Sequence, residues 1–384
     1  MVSSVYIHIP FCEKICHYCD FTKFFYEEKM ADDYLVALNN EIKAYIQTPK
    51  QQMKTIFVGG GTPTALNNQQ LTKLVQIIEY YFDINAVEEY TFEANPGDLT
   101  LEKINILKNH GVNRISMGVQ DFDNDMLAQL GRLHRTKDVY QNVNDLIRTG
   151  ISNISIDLMY SLPNQSINHF ERSLEEALQF QLPHYSAYSL QIEPKTIFYQ
   201  RYMQGKLTKP PEEIEADMYA LLREKMRNNG IVQYEISNFA KPGYESQHNL
   251  TYWNNQHYYG FGAGSHGYLP GERIINIRPF PKYVYEANQS GKPILHIERI
   301  SRKEQIEEEM FLGLRKTEGV RRQAFEQKYG ISIEHVYEKE LDQLIQREWL
   351  TMDKQTVRLT EAGKPFGNEV FQAFLIDDDA KVRL

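Results

Sequence analysis

The three cysteines of the chain stand together near its amino end, where they could bind a metal cluster. Cys12, Cys16 and Cys19 form a Cys-x-x-x-Cys-x-x-Cys pattern directly after a short apolar run. Iron–sulfur clusters are held by cysteine thiolates, and a [4Fe–4S] cluster normally takes four of them. A loop that supplies three thiolates leaves one iron open to a ligand that is not protein. The spacing therefore predicts a [4Fe–4S] cluster with one exchangeable ligand.

Two other interpretations of these cysteines have less support. A structural zinc site needs four ligands, and His17 could be the fourth. Zinc loops usually consist of two Cys-x-x-Cys-like pairs separated by a longer stretch, and this chain has no second pair. A disulfide needs an oxidising compartment, and an odd number of cysteines without a signal peptide argues against one.

The composition is that of a globular protein with a large core. The 384 residues are 42% hydrophobic and 24% charged, and their formal net charge is −9, which disfavours a general nucleic-acid binder. No apolar run approaches the ~18–20 residues that cross a bilayer. The opening residues lack the charged region and the cleavage site of a signal peptide. We therefore expect a cytoplasmic protein with no nucleic-acid partner and no integral membrane segment.

Short β-branched runs alternate with longer amphipathic stretches through the first half of the chain. Six such alternations are typical of a parallel α/β sheet, either a barrel or an open sheet. The cysteines follow the first run, GGGTPT the second and EANPG the third, and in α/β barrels functional residues gather at the carboxyl ends of the strands. The predicted strands are 5–9, 55–58, 89–93, 113–117, 153–158 and 185–190, and the predicted helices are 31–45, 69–81, 101–109, 138–149 and 167–179.

The second half of the chain has a different character. An acidic helix is predicted at 212–228 and a strand at 232–237, followed by a stretch rich in glycine, asparagine, histidine and aromatic residues. Helices predicted at 301–315, 322–329 and 333–347 precede two short strands and a last helix, the order of a winged-helix domain. We expect an α/β body at 1–237, a loop-rich connecting region at 238–300 and a winged-helix-like α+β domain at 301–384. The acidic run 377–379 argues against DNA binding by that domain.

These motifs, from YIHIPFCEKICHYCDF to LTEAG, resemble the anaerobic coproporphyrinogen III oxidase-like radical S-adenosylmethionine (SAM) family over almost the whole chain. The resemblance implies an α/β fold, a partial (βα)6 TIM-like radical SAM barrel, followed by the winged-helix-like domain. It also implies that the three cysteines bind a [4Fe–4S] cluster whose open iron is chelated by SAM. The hard chemistry then belongs to the cofactor, with the protein supplying orientation, and an electron donor must come from outside the chain.

The same resemblance implies which residues contact SAM. Each of them also has an ordinary interpretation, because glycines form tight turns and charged residues often end strands. Glycines at GGGT would let the backbone approach a cationic amine, and a guanidinium suits bidentate binding of a carboxylate. The implied SAM contacts are Tyr6, Tyr18, Gly60, Gly61, Thr62, Glu93, Gln120, Arg132 and Asp157.

Two departures separate the chain from the oxidases of this family. The oxidases have a cysteine two residues after the third ligand, where this chain has Phe21, and an N-terminal extension that closes over the substrate. The run HNLTYW, which begins at His248, matches the HNxxYW motif of the heme-carrying branch. The match implies that His248, as an exposed loop residue, ligates heme iron while nearby rings stack on the porphyrin. The alternative is a loop histidine that hydrogen-bonds the backbone beside a core tryptophan. His257 and His266 are weaker candidates for a second ligand.

We therefore expect a cytoplasmic heme carrier that binds heme and a SAM-coordinated [4Fe–4S] cluster and transfers heme to an acceptor protein. The alternative is an enzyme, an oxygen-independent coproporphyrinogen III oxidase of porphyrin biosynthesis.

Overall fold

A computed structural model describes residues 2–376 of the chain. Within these residues, six parallel strands pair side by side in the order in which they occur in the chain. All six predicted strands are confirmed, with ends that differ by at most three residues. The strands are β1 (Ser4–Ile9), β4 (Thr55–Gly60), β5 (Glu89–Ala94), β6 (Arg114–Gln120), β7 (Asn153–Tyr160) and β8 (His184–Ser189).

Helices connect these strands and cover the outer face of the sheet. The predicted helices are confirmed, while two short helices, α4 and α7, have no counterpart in the prediction. The helices are α1 (Glu28–Tyr45), α2 (Asn68–Tyr81), α3 (Leu101–Asn109), α4 (Asn124–Leu130), α5 (Thr136–Thr149), α6 (Ile167–Gln179), α7 (Ile197–Met203) and α8 (Glu212–Asn228).

The first strand shows why the sheet has an apolar outside and a polar inside. Alternate side chains of a strand point to opposite faces. Val5, Ile7 and Ile9 are fully buried in the core beneath the helices. Tyr6 and His8 point the other way and line an interior cavity. The outer face therefore provides the hydrophobic stability, and the inner face is free to hold polar groups.

The sheet does not close on itself, and the segment 238–300 extends it at both edges. Strand β10 pairs antiparallel with β8, and β11 pairs parallel with β1. In the described chain the order is β14-β13-β12-β11-β1-β4-β5-β6-β7-β8-β10-β9. The added elements are β9 (Val232–Gln233), β10 (Asn238–Ala240), α9 (Gln247–Trp253), β11 (Tyr258–Phe261), β12 (His266–Leu269), β13 (Glu272–Asn276), α10 (Phe280–Ser290) and β14 (Ile294–Arg299). We refer to residues 238–300 as the bridging segment.

The bridging segment is more regular than the loops that the sequence predicts there. Together with the neighbouring β9, its strands are two to six residues long. The pairing of β11 with β1 joins residues more than 250 positions apart. Short strands held by distant partners leave little periodicity in the local sequence. The single strand predicted at 232–237 is also wrong, because β9 stops at Gln233 and the chain pairs again from Asn238.

The C-terminal part builds a core of its own. Helices α11 (Arg302–Gly313), α12 (Arg322–Tyr329) and α13 (Ile333–Gln346) pack with a three-stranded antiparallel sheet of β15 (Val320–Arg321), β17 (Thr356–Leu359) and β16 (Leu350–Met352), and α14 (Gly367–Gln372) follows. Helices followed by a β-wing confirm the winged-helix-like α+β domain. Residues 377–384 of the predicted 301–384 domain, with the acidic run 377–379, lie outside the described residues. No helix within residues 2–376 is long and apolar enough to cross a membrane.

Candidate functional site

The three cysteines lie on a loop that two very short strands close. Strand β2 (Phe11–Cys12) pairs in parallel with β3 (Phe24–Phe25), and the amide of Tyr26 donates to the carbonyl of Cys12 at 2.9 Å. All three thiols are free and partly buried. Because β2 follows directly on β1, the loop is fixed above the carboxyl end of the first strand.

A continuous chain of hydrogen bonds links the first cysteine to the second. The hydroxyl of Thr62 donates to Sγ of Cys12 at 3.6 Å, and Nδ2 of Asn95 donates to that hydroxyl at 2.9 Å. Arg132 then donates to Oδ1 of Asn95 at 2.7 Å and to Sγ of Cys16 at 3.4 Å. The motifs GGGTPT and EANPG, at two strand ends, and LGRLHR, after α4, thus meet at the cysteines. We call these five residues the cysteine rim.

The chemistry of the loop fits a cluster. Burial raises the pKa of the Cys12 thiol to about 11 and also raises that of Cys19, so metal binding would displace a proton from each of these two thiols. Among residues 2–376 no three His, Cys, Asp or Glu side chains are arranged to hold one metal ion. Cluster thiolates each bind a separate iron and need not converge on one point.

A glycine cradle lies next to the rim, as the sequence predicts. Gly60 has φ +110°, and a Cβ there would lie 2.2 Å from the His8 ring; at Gly61 it would lie 2.8 Å from the Ile9 carbonyl oxygen. The amide of Gly60 donates to Oε2 of Glu93 at 2.8 Å. Burial, together with the nearby Asp157 carboxylate, raises the pKa of Glu93 to about 7. The structure therefore brings Gly60, Gly61, Thr62 and Glu93 together beside the cysteines.

His8 belongs to this site, although the sequence analysis did not single it out. Its Nε2 lies 2.8 Å from the carbonyl of Thr22 and its Nδ1 2.9 Å from the hydroxyl of Tyr6. A carbonyl only accepts, so Nε2 carries the proton and Nδ1 accepts from the tyrosine. Burial lowers the pKa of His8 to about 4, which keeps this neutral form at neutral pH. The signal in the sequence was its position two residues after Tyr6, on the same face of β1.

Of the remaining predicted SAM contacts, Gln120 and Tyr18 lie near the rim or the cysteine loop, whereas Asp157 lies apart from them. The Gln120 amide lies close to the Arg132 guanidinium, since a Cβ on Gly118 would be 3.1 Å from the first and 3.2 Å from the second. Tyr18 packs on Phe198 with ring centroids 6.4 Å apart, in an apolar cluster beside the cysteine loop.

Asp157 is enclosed by hydroxyl groups inside the barrel. Ser116 and Ser155 each donate to it at 3.2 Å. Burial raises its pKa. Asp157 is not among the residues that line the interior cavity beside the rim. Unlike the predicted contacts beside the rim, Asp157 is therefore positioned by side chains of β6 and β7.

That interior cavity has a volume of about 390 Å³, within the range of ligand pockets. One wall comes from the barrel and the cysteine loop, and the other comes from the bridging segment. Its lining residues are Tyr6, His8, Asp20, Phe21, Thr22, Gly60, Glu93, Tyr252, Tyr258, Gly264, Ser265, His266 and Arg278. Three of these residues, Tyr6, Gly60 and Glu93, are predicted SAM contacts, so the cavity extends from the predicted SAM site to the bridging segment.

The expected exposed-loop position of His248 is wrong. His248 lies in α9 with 1% of its surface exposed, and it stacks on Phe57 with ring centroids 5.1 Å apart. Its Nδ1 lies 2.7 Å from the hydroxyl of Thr55 and its Nε2 lies 2.8 Å from the hydroxyl of Tyr252. Burial lowers its pKa to about 3. Neither ring nitrogen is free to bind iron in this arrangement.

The HNxxYW motif instead bridges the open side of the barrel. The chain leaves β10 at one edge of the parallel strands, forms α9 and enters β11 at the other edge. Helix α9 contacts the first residues of three strands: Thr251 bonds Ser4 at 3.0 Å, His248 bonds Thr55, and Glu89 accepts the amides of residues 247 and 248. The motif therefore closes the amino ends of the strands and sends Tyr252 towards the cavity.

Comparison with known proteins agrees with this architecture. The model of the Radical SAM superfamily matches residues 6–177, and that of the HemN C-terminal domain matches residues 300–366. The solved structure of coproporphyrinogen III oxidase (HemN) from Escherichia coli, described as a radical SAM enzyme, superposes with a TM-score of 0.84 over 97% of this chain and 90% of that one. Its identity to this chain is 22%, so the likeness concerns the fold.

Closer relatives are similar over nearly their whole length. The protein named heme chaperone HemW of Bacillus subtilis (strain 168) is 48% identical over 376 residues, which are 97% of this chain and 99% of the relative. The protein of the same name in Escherichia coli (strain K12) is 33% identical and covers 97% and 98%. By this similarity, the chain belongs to the radical SAM family of proteins named heme chaperone HemW.

Proposed function

We propose that this protein is a cytoplasmic heme chaperone that binds heme and a SAM-coordinated [4Fe–4S] cluster and transfers heme to an acceptor protein. The cysteine rim is the observation that carries the proposal. Three free thiols on one loop, two of them joined by hydrogen bonds through Thr62, Asn95 and Arg132, suit a cluster that leaves one iron open. The near-full-length similarity to proteins named heme chaperone HemW supports the heme part.

In this proposal each part of the site has a role of its own. Cys12, Cys16 and Cys19 hold the cluster, and the donors of Thr62 and Arg132 stabilise charge on its sulfur ligands. The glycine cradle with Glu93, and Gln120 beside Arg132, orient SAM, with Tyr6, Tyr18 and Asp157 around it. When bound, the cluster and SAM would supply one-electron reductive chemistry, for which a separate electron donor is needed.

The protein's own contribution to that chemistry is positional. The hydrogen-bonded rim and the enclosed barrel fix the polar groups before any ligand arrives, so little reorganisation is needed on binding. His248 supports the cavity wall through Tyr252 rather than binding iron. Heme, as the cargo, would enter the cavity between the cysteine loop and the bridging segment.

The alternative function, oxidation of coproporphyrinogen III, shares the same fold. At the position where the oxidases of the family have a cysteine, this chain has Phe21, whose side chain is 65% exposed at the cavity. We therefore expect the SAM site without the oxidase activity.

Anaerobic reconstitution separates the two functions in one experiment. The full chain is loaded with iron and sulfide, then titrated with hemin and, in parallel, incubated with coproporphyrinogen III, SAM and dithionite. We expect stoichiometric hemin binding and no protoporphyrinogen. Turnover of coproporphyrinogen without hemin binding would overturn the chaperone proposal in favour of the oxidase.

A further inference from the structure

The cavity beside the cysteine rim contains one imidazole that is free to bind a ligand. His8 and His266 are the histidines that line it. Both ring nitrogens of His8 are occupied, one by Tyr6 and one by the Thr22 carbonyl. Within residues 2–376, the side chain of His266 makes no hydrogen bond, ion pair or ring contact, and it is exposed at the start of β12. His266 is therefore the imidazole that this cavity presents.

A free guanidinium stands beside that imidazole. Arg278 is exposed, lines the same cavity and, within the described part of the chain, has no hydrogen-bond or ion-pair partner. Gly264 allows this approach: its φ is +72°, and a Cβ there would lie 2.4 Å from Oγ1 of Thr22 and 3.1 Å from Cγ of Arg278. A guanidinium binds a carboxylate with two parallel hydrogen bonds.

Aromatic side chains surround these two polar groups. Phe21 is 65% exposed at the cavity, and Tyr252 and Tyr258 line it with their rings 4.7 Å apart at 75°. Rings of this kind offer flat apolar area together with a polar edge. These groups match the parts of an iron porphyrin. The imidazole suits the metal, the guanidinium suits the carboxylates, and the aromatic rings suit the planar face.

We propose that His266 ligates the iron of bound heme and that Arg278 pairs with a heme propionate. The assignment rests on the proposed heme-binding function and places the iron ligand at His266 instead of His248. Neutral imidazole is the form that binds metal. Loss of water around His266, and secondly the nearby Arg278, lower the pKa of His266 from 6.5, which favours that form at neutral pH.

Hemin titration of the full chain tests the iron ligand. We expect His266→Ala to weaken hemin binding about tenfold or more and to shift the Soret band, with the parent spectrum restored by added imidazole. His296→Ala, which removes an exposed histidine of β14, is the matched control and should bind like the parent. A His266→Ala variant with the parent's affinity and spectrum would overturn the assignment. If the parent itself binds no hemin, the proposed function fails instead.

The arginine is tested by comparing hemin with hemin dimethyl ester, which lacks the carboxylates. We expect the parent to bind hemin about tenfold more tightly than the ester, and Arg278→Gln to bind both alike. Arg299→Gln, an exposed arginine at the end of β14, serves as the control and should keep the preference. A preference that survives Arg278→Gln, or a parent without one, contradicts the role of Arg278.

Discussion

The cysteine rim lies beside the cavity and the bridging segment lines it, and the two regions are held in place in different ways. In the rim, the predicted Thr62 and Arg132 meet Cys12 and Cys16 through hydrogen bonds of 2.7–3.6 Å that also include Asn95. In the bridging segment, the expected exposed His248 lies in a helix with 1% exposure. The difference is one of range. The rim follows from one loop and the common edge of parallel strands, whereas α9 is positioned by contacts with residues 150 to 250 positions away.

A histidine in a motif can therefore shape a cavity without lining it. His248 joins α9 to β4 and holds the hydroxyl of Tyr252, which lines the cavity. Loss of His248 should therefore disturb the cavity wall. Variants that damage only one of the two regions test this difference.

Removing the three cysteines should have the largest effect and should spare the bridging segment. We expect a Cys12→Ala, Cys16→Ala, Cys19→Ala variant to lose all cluster iron and sulfide after anaerobic reconstitution, because no thiolate remains. Its far-UV circular dichroism should match the parent. His17→Ala, which changes the same loop, should keep the cluster. Iron and sulfide retained by the triple variant would refute the cluster assignment.

His248→Ala should damage the bridging segment and leave the rim intact. The variant leaves a cavity next to Phe57 and two unpaired hydroxyls, so we expect the free energy of unfolding to fall by roughly 3 kcal/mol in chemical denaturation. The exposed His296→Ala control should change it by less than about 0.5 kcal/mol. A stability loss no larger than that of the control would mean that His248 is not a packing residue.

Glu41 fastens α1 to the bridging segment and should make its attachment depend on pH. Its buried carboxylate accepts from the Gly262 amide at 2.9 Å, from the Tyr283 hydroxyl at 2.7 Å and from the Asn276 side chain at 2.5 Å, and burial raises its pKa to about 7. A raised carboxyl pKa means that the native state holds a proton that the unfolded state releases at about pH 4.5. The stabilisation of the native state by this bound proton is complete below about pH 4.5 and disappears as the pH rises through about 7.

The Glu41→Gln variant checks this linkage. Because glutamine stays neutral, we expect the parent to lose about 3 kcal/mol of stability relative to the variant between pH 5 and pH 8 in chemical denaturation. Glu27→Gln, an exposed position just before α1, should show no such change. A difference that is the same at both pH values would show that Glu41 is ionised throughout.

Arg132→Lys should have the smallest effect, confined to the rim. Lysine keeps the charge but cannot bond Asn95 and Cys16 at once, so we expect SAM to bind the reconstituted protein about tenfold more weakly, with cluster iron retained. The exposed Arg135→Lys is the control in equilibrium binding measurements. Unchanged affinity for SAM would remove Arg132 from the proposed contacts.

Much of the barrel could be predicted because its signals are local. The six strands and the helices between them repeat a strong hydrophobic period, and α3, α6 and α8 begin and end at the predicted residues. His8 and Asn95 were missed: His8 lies two residues after Tyr6 on the same face of β1, but the neighbours of neither residue reveal by themselves what it does. Their places in the site become clear only from hydrogen bonds in the folded chain, between His8 and the Thr22 carbonyl and between Arg132 and Asn95.

Local sequence was enough to establish the cysteine spacing, the order of strands and helices, and the edge at which the strand-end motifs gather. These depend on side-chain periodicity and on the common direction of parallel strands, which each short stretch encodes for itself. Which imidazole is available in the cavity depends on contacts between distant parts of the chain. Hydrogen bonds occupy both ring nitrogens of His8 and of His248, while the ring of His266 makes none within residues 2–376. The pairing of β11 with β1, more than 250 positions away, brings His266 to the cavity.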